Sequence, residues 1–356
     1  MRVKLGDICE YVKGKTPVSE LTDRTYISTE NMLPNKMGIT SASSLPTVDQ
    51  TQIYKEKDIL VSNIRPYFKK IWQAEWDGGC SADVLVFRAK QGVFQDYLYF
   101  VLSDDRFFEY SMATSKGTKM PRGDKTSIMQ YEIEVPSYDE QVKIASVLSD
   151  LEAKIKLNSE INSNLEQQAQ ALYRNLFIDN CHSDWEIGKL SDLITVRYGK
   201  DHKKLEDGIY PVYGSGGIMR YVEKPIYDLE SVLIPRKGSL NNVMYVNEPF
   251  WSVDTMFYTE MKKPNIAKFV YHFVKSKDLA ALNAGSAVPS MTTDILNAMQ
   301  LSIPDDATFE AFEIVISPLY EKIRYNVSEN KKLHSLRDAL LPKLMSGEID
   351  LSSIDI

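Results

Sequence analysis

The chain has 356 residues, 43% of them hydrophobic and 26% charged, with a formal net charge of −7. That length predicts two or three domains, each able to bury a core, and the ordinary apolar fraction predicts a soluble globular protein with no stretch approaching the ~18 apolar residues of a membrane span. The acidic balance weighs against a free-standing nucleic-acid binder, usually basic, but leaves room for local basic patches or for a partner that brings the charge.

The opening Met-Arg-Val-Lys-Leu-Gly-Asp lacks the apolar core of a signal peptide. Cys9, Cys80 and Cys181 are odd in number and far apart, and His182, His202, His272 and His334 are scattered, so the pattern predicts neither a disulfide framework nor a metal site. A reducing cytoplasm fits this usage.

Residues 1–136 read as a mixed α/β domain. Leu5 to Lys15 is a short amphipathic segment ending at Gly14. The β-branched and aromatic runs Ile53 to Tyr67 and Cys80 to Ala89 favour strands, and Tyr97 to Leu102 and Arg106 to Met112 favour helices. A loop from Ala113 to Lys125 carries Lys116, Lys119, Arg122 and Lys125 against one acid, and Ile133 to Pro136 closes the domain as a strand.

Ser137 with Glu140 three residues on forms a capping box that starts a long helix through 179. Its apolar residues alternate in steps of four and three: Ile144, Leu148, Leu151, Ile155, then Leu165, Ala169, Leu172 and Leu176, with Asn158 and Asn162 in the gap. This heptad pattern keeps one narrow seam apolar.

After Asn180 the layout begins again. Leu190 to Lys200 matches Leu5 to Lys15 at Leu, Asp, Gly and Lys, and Trp251 to Phe257 echoes Cys80 to Val86 around a shared Ser-x-Asp. Phe269 to Val274 echoes Tyr97 to Leu102, Gly285 to Pro289 answers Gly117 to Pro121, and Leu301 to Pro304 answers Ile133 to Pro136. A second seam, Phe312, Ile316, Leu319, Ile323, Asn326, Asn330, Leu333, Arg337, Leu340 and Leu344, repeats the first 168 residues on, both asparagines in register.

The order is domain 1–136, helix 137–179, domain 180–304, helix and tail 305–356, an α+β tandem duplication with pseudo-twofold symmetry. The two helices should run antiparallel as a coiled coil, placing Asn158 near Asn330 and Asn162 near Asn326; paired amides in an apolar seam cost stability but fix register. Pro318 predicts a kink or restart with Ser317 as a cap, and Pro342 does the same near the end. Tyr173, Phe177, Leu336 and Leu341 fall off the seam, where they could dock another protein.

Catalytic patterns are weak. Asn63-Ile-Arg-Pro-Tyr67 lacks a proline of the Asn-Pro-Pro-Tyr of amino-methyltransferases and has no cofactor loop beside it, while Tyr213-Gly-Ser-Gly-Gly217 lacks the Lys-Ser/Thr of a P-loop. Nucleic-acid contact has better support. Arg65, Tyr67, Lys69 and Lys70 mix cations with aromatics at a strand end, the 113–125 loop mixes them with Gly and Ser, and Arg236-Lys-Gly-Ser-Leu-Asn-Asn242 offers Arg and Asn, the side chains that pair with guanine and adenine edges. Any one of these alone reads better as a solvated turn; equivalent basic loops on both repeats tilt the balance.

With these residues in view, the chain resembles the specificity subunit of type I restriction–modification systems over nearly its whole length. The pieces are Pro136 with Glu140-Gln141, Ile144-Ala145, Leu148 and Ile155; Tyr210 to Ile218; Pro235 to Ser239 with Trp251 and Asp254-Thr255; and Leu340 to Ile349. Thr308 and Phe309 stand where the second helix would have Glu-Gln. The resemblance implies a non-catalytic DNA reader in which two target-recognition domains each read one half of a bipartite site. It also implies that the long helices set the spacer, that methyltransferase subunits (two) dock and an endonuclease/translocase can join them, and that the chain has no cofactor of its own, S-adenosylmethionine sitting on the partner. The DNA-facing set expected is Arg65, Tyr67, Lys69, Lys116, Lys119, Arg122, Tyr213, Ser215, Arg236, Lys237, Ser239 and Asn241. The competing reading is a coiled-coil scaffold without sequence-selective DNA binding.

Overall fold

The structure, a computed structural model, describes residues 2–282 and 290–349. The expected echo at Gly285 to Pro289 lies outside the described residues. The chain divides into two compact units, one of Met1–Asn158 with Ser328–Ile356 and one of Ser159–Val327. Both boundaries fall inside the long helices, Tyr138–Arg174 and Asp306–Met345.

In the first unit, Cys9–Tyr11, Val84–Ala89, Ile59–Ser62 and Ile71–Gln73 form, in that order, a four-stranded antiparallel sheet. Its central strands are apolar at every position from Ile59 to Val61 and from Val84 to Phe87 because both faces are covered. Alternation then divides them. Ile59, Val61, Leu85 and Phe87 join a core with the helices Gln95–Ser103 and Asp105–Ala113, whereas Leu60, Val84 and Val86 join a second core with Ile27, Tyr54 and Trp72. A second sheet, ordered Lys15–Pro17, Gln50–Tyr54, Gly78–Cys80, Tyr26–Ile27, lies over that second core. Gly78 is required there: a Cβ would sit 2.3 Å from the Thr25 carbonyl oxygen and 2.4 Å from the Tyr54 hydroxyl.

The second unit repeats the plan. Ile194–Tyr198, Met256–Met261, Ser231–Pro235 and Met244–Val246 form the main sheet, with a three-stranded partner of Gly217–Val222, Asp207–Gly214 and Trp251–Ser252. Val232, Ile234 and Phe257 face a helical core; Leu233, Met256 and Tyr258 face the other. Alternation and backbone hydrogen bonds therefore equate Leu85 with Phe257 and Ser81 with Val253, since Val84 N donates to Ser81 O and Met256 N to Val253 O. The expected echo around Ser-x-Asp is thus one residue out of register: Asp83 corresponds to Thr255, not Asp254. In a strand a one-residue slip exchanges faces, so this correction changes which side chains are comparable.

The helix starts follow from their first turns. Ser137 N donates to Glu140 Oε2 at 2.9 Å and Glu140 N to Ser137 Oγ at 3.4 Å, the reciprocal pair expected. The second helix uses Asp305, whose Oδ1 accepts Thr308 N at 2.7 Å. The helix does not restart at Pro318 or Pro342; it is continuous from Asp306 to Met345. The carbonyls each proline leaves unpaired, Ile314 and Asp338, belong to exposed residues, where water can take the bond. Ser317 is no cap: its hydroxyl donates back one turn to Glu313 Oε1 at 2.5 Å.

Candidate nucleic-acid interface

Within each unit the paired segments of the two long helices meet at an asparagine layer. In the first, Asn158 Nδ2 donates to Asn330 Oδ1 at 2.8 Å and to Glu329 Oε2 at 2.7 Å, and Asn330 Nδ2 reaches the Ile155 carbonyl at 3.1 Å. Arg337 Nη1 meets Glu152 Oε1 at 2.8 Å, so 152 faces 337 and 158 faces 330, an antiparallel register. In the second, Asn326 Nδ2 donates to Asn162 Oδ1 at 2.8 Å. Asn158 and Asn326 are 1% and 0% exposed, so each would be costly without its partner, Asn330 for the first and Asn162 for the second. Leu148 and Ile155 are buried, while Leu151, Leu165, Leu319, Ile323 and Leu333 are half-buried along the same seam.

The far end of the first seam differs from expectation. Ala169, Tyr173 and Phe177 form the buried face, Leu172 is half-buried and Leu176 exposed. A helix near 3.6 residues per turn drifts away from a strict 3.5 repeat, and a wider turn at Asn175–Asp179 rotates Phe177 inward. Tyr173, Phe177 and Leu341, expected on a docking face, are core residues; of that set only Leu336 is exposed.

At the end of the strand Ile59–Ser62, Asn63 N donates to Asp83 O at 2.8 Å and Gly123 N to Asn63 O at 3.1 Å, which pins the 113–125 loop beside the Asn63–Tyr67 turn. Arg65 N donates to Pro121 O at 2.8 Å, and Lys116 and Arg122 exchange backbone hydrogen bonds at 2.9 and 3.0 Å across the loop. Arg65, Tyr67, Lys69, Lys116, Lys119 and Arg122 are therefore brought together. Several of the cations are paired. Lys69 holds Asp105 at 2.6 Å, Arg122 holds Asp83 at 3.1 Å, and Lys116 holds Asp124. The Lys116 ammonium, helped by Ser127, pulls the Asp124 carboxyl down to about 2. Lys119, at the exposed tip, has no ionic partner among the described residues. Gly123 has no room for a side chain, its Cβ position lying 2.7 Å from Asn63 Oδ1.

In the second unit the equivalent loop starts at Arg236, whose N donates to Thr255 O at 2.9 Å while Met291 N donates to its carbonyl at 2.9 Å. The match makes Asn63 and Arg236 occupants of one backbone slot, which the sequence comparison missed because its register was one residue off. The Arg236 guanidinium lies over the Tyr198 ring at 5.4 Å and donates to Asp254 O at 3.0 Å. Asn242 Nδ2 donates to Ser215 O at 2.8 Å, joining this loop to the tip of the hairpin that carries Tyr213 and Ser215. Tyr213 donates to Glu248 at 3.0 Å, and burial raises its phenol. Lys237 and Ser239 are exposed. Asn241 is exposed and anchors the 278–280 turn, its amide donating to Asp278 Oδ1 at 3.1 Å and accepting Ala280 N at 3.0 Å, which leaves one N–H and one lone pair of the amide over.

Two α/β modules of one plan, each with a loop cluster at the end of the same central strand and each packed on antiparallel helix segments, define a duplicated two-module protein. A model of the type I restriction modification DNA specificity domain matches residues 1–167 and again 182–332, and the chain belongs to that family. It is similar to the type I restriction enzyme MjaIX specificity subunit of Methanocaldococcus jannaschii, 25% identical over 308 residues that cover 74% of this chain and 71% of that one. It is also similar to the HindI specificity subunit of Haemophilus influenzae, 22% identical over 464 residues covering 97% and 98%. Among solved structures, the S subunit of a type I restriction–modification system from M. genitalium shares the fold at a TM-score of 0.62 and 18% identity, covering 97% of this chain and 96% of that one. Among the described residues no helix is long and apolar enough to cross a membrane.

Proposed function

We propose that this chain is the DNA-specificity subunit of a type I restriction–modification complex, and that it selects a bipartite target while partner subunits do the chemistry. The observation that carries this is the duplicated loop cluster: Asn63 and Arg236 hold the same backbone slot in two modules, each beside surface cations. One module reads one half-site through Arg65, Tyr67, Lys69, Lys116, Lys119 and Arg122; the other uses Tyr213, Ser215, Arg236, Lys237 and Ser239. Residues 1–136 and 180–304 are the recognition domains, and 137–179 with 305–356 form the spacer. The asparagine layers supply a reason for a fixed spacer, because a slip of the seam would strand buried amides. Two methyltransferase subunits carrying S-adenosylmethionine, and an endonuclease/translocase, complete the cytoplasmic complex and supply positive charge that an acidic chain lacks.

Sequencing modified adenines in cells with and without this gene tests the role. A bipartite motif should vanish with the gene; an unchanged set of modified sites, with the partner genes active, would refute the assignment. Seven residues inserted in the first seam should alter the preferred spacer, and an unaltered spacer would remove the helices from that task.

A further inference from the structure

We infer that the turn Arg65–Lys69 is an aromatic wedge that enters the base stack of one half-site only, the one bound by the first module. This rests on the DNA-reading role proposed above and adds what the turn does once there.

Tyr67 and Phe68 are adjacent large aromatics left 49% and 37% exposed, their rings 4.7 Å apart and tilted by 53°. They sit on a short helical turn, Pro66–Phe68, bracketed by two non-glycine residues in the left-handed region, Arg65 at φ 51° and Lys69 at φ 50°. Such backbone persists only where the surroundings dictate it, and it gathers at functional sites. Here backbone hydrogen bonds dictate it, Lys69 N to Pro66 O at 2.8 Å among them. Arg65 N donates to Pro121 O at 2.8 Å, Phe68 N to Arg65 O at 3.0 Å, Asn35 N to Phe68 O at 2.8 Å and Lys36 N to Lys69 O at 2.9 Å. Pro66 is buried. The two rings are thus presented on a support ordered before any ligand arrives, which removes an entropic cost of binding.

The surroundings indicate the ligand. Lys70 Nζ lies 5.7 Å from the Phe68 ring, and the exposed tip of the 116–122 loop, with Lys119 and Arg122, is tied to the same turn. An apolar projection with cationic shoulders suits a base step flanked by phosphates: the rings part and stack on the bases while the cations meet the backbone. At the matching slot the second module has no exposed aromatic pair among the described residues. The residues that follow its Arg236 slot are Lys237, Gly238, Ser239 and Leu240, and Leu240 is buried. The deformation is therefore one-sided.

The test uses the assembled complex with its methyltransferase subunits on duplexes carrying 2-aminopurine at successive positions, each half-site assigned by footprinting. The wild-type complex should raise fluorescence severalfold at one step of the first module's half-site and at none in the other. Tyr67→Ala with Phe68→Ala should abolish the rise and weaken binding about 10-fold, the worth of one base–aromatic stack, while Tyr67→Phe keeps both and protection of the second half-site is unchanged. A flat 2-aminopurine signal with wild type bound, or a rise that survives the double substitution, overturns the wedge. Loss of methyltransferase assembly in the double variant without DNA also overturns it, by making the turn a protein contact. If the wild-type complex selects no bipartite site, the DNA-reading role itself fails and the wedge with it, an outcome told apart by its insensitivity to either aromatic.

Discussion

His272 should make the second unit sensitive to mild acid. It is 5% exposed, its ring is stacked on Tyr173 at 5.4 Å and 19°, and its Nε2 lies 2.9 Å from the Tyr320 hydroxyl. Burial, with a smaller push from Lys275, lowers its pKa from 6.5 to about 4. The folded state therefore keeps the ring neutral while the unfolded chain takes up a proton below about 6.5. The stability this contributes is complete above that value, declines as the pH falls, and is gone near 4. A gap of that size corresponds to about 3 kcal/mol in full, of which about 2 kcal/mol is lost by pH 5. His272→Phe keeps a ring against Tyr173 but cannot titrate, and the orphaned Tyr320 hydroxyl adds a penalty of ~1–3 kcal/mol that does not vary over this range. Urea unfolding at pH 7 and pH 5 separates the two effects. Wild type should lose about 2 kcal/mol more than His272→Phe between those conditions. Parallel losses in the two proteins would refute the argument, because the carboxylates common to both would then account for the whole acid response.

Lys268, its side chain 4% exposed between Glu230 at 3.0 Å and Glu313 at 2.6 Å, ties the helix Ala267–Lys275 to the second long helix. Lys268→Met should cost ~3–5 kcal/mol by leaving carboxylates unpaired, and adding Glu313→Gln should recover part of it; a loss under ~1 kcal/mol in urea unfolding would show a solvated pair. Asn158→Leu should destabilise by ~1–3 kcal/mol by stranding its partners, and Asn330→Leu in addition should cost less than the sum. Additive effects in that cycle would deny coupling between the amides. Arg236→Ala should weaken binding to the second half-site by ~1–3 kcal/mol and relax its sequence; unchanged affinity and motif in a competition assay would take this residue out of the interface.

The duplication was legible because it rests on patterns that repeat without gaps: Leu5 to Lys15 and Leu190 to Lys200 make the same short helix and strand, closed by Asp7 and Asp192 on the backbone amides of Lys4 and Lys189 at 2.9 and 2.7 Å. Both asparagine layers were legible because buried amides have few alternatives to one another. Proline did not mark a restart, because sequence does not say which face of the helix it occupies; Pro318 is exposed, and its missing donor falls toward water. The Asn63–Arg236 equivalence was hidden by a chance Ser-x-Asp match one residue out of phase, which only strand alternation exposes. Asn241 reads as a base-pairing residue by type, and its amide also holds the turn at 278–280, a contact 39 residues away that no local pattern announces.

The way the two units are assembled from the chain has a consequence for synthesis. The second is a single uninterrupted stretch, Ser159–Val327, whereas the first needs residues beyond Ser328, with Leu341, Leu344 and Met345 filling its core. A ribosome therefore delivers all of the second unit's core before it completes the first, although the first begins earlier. The early-made module must wait with an open apolar face, at the core that Leu341, Leu344 and Met345 later complete. A chain ended at Val327 should reproduce that waiting state, with residues 159–327 resisting protease and 1–158 cut readily; equal resistance of both would mean that the missing segment is dispensable for the first core.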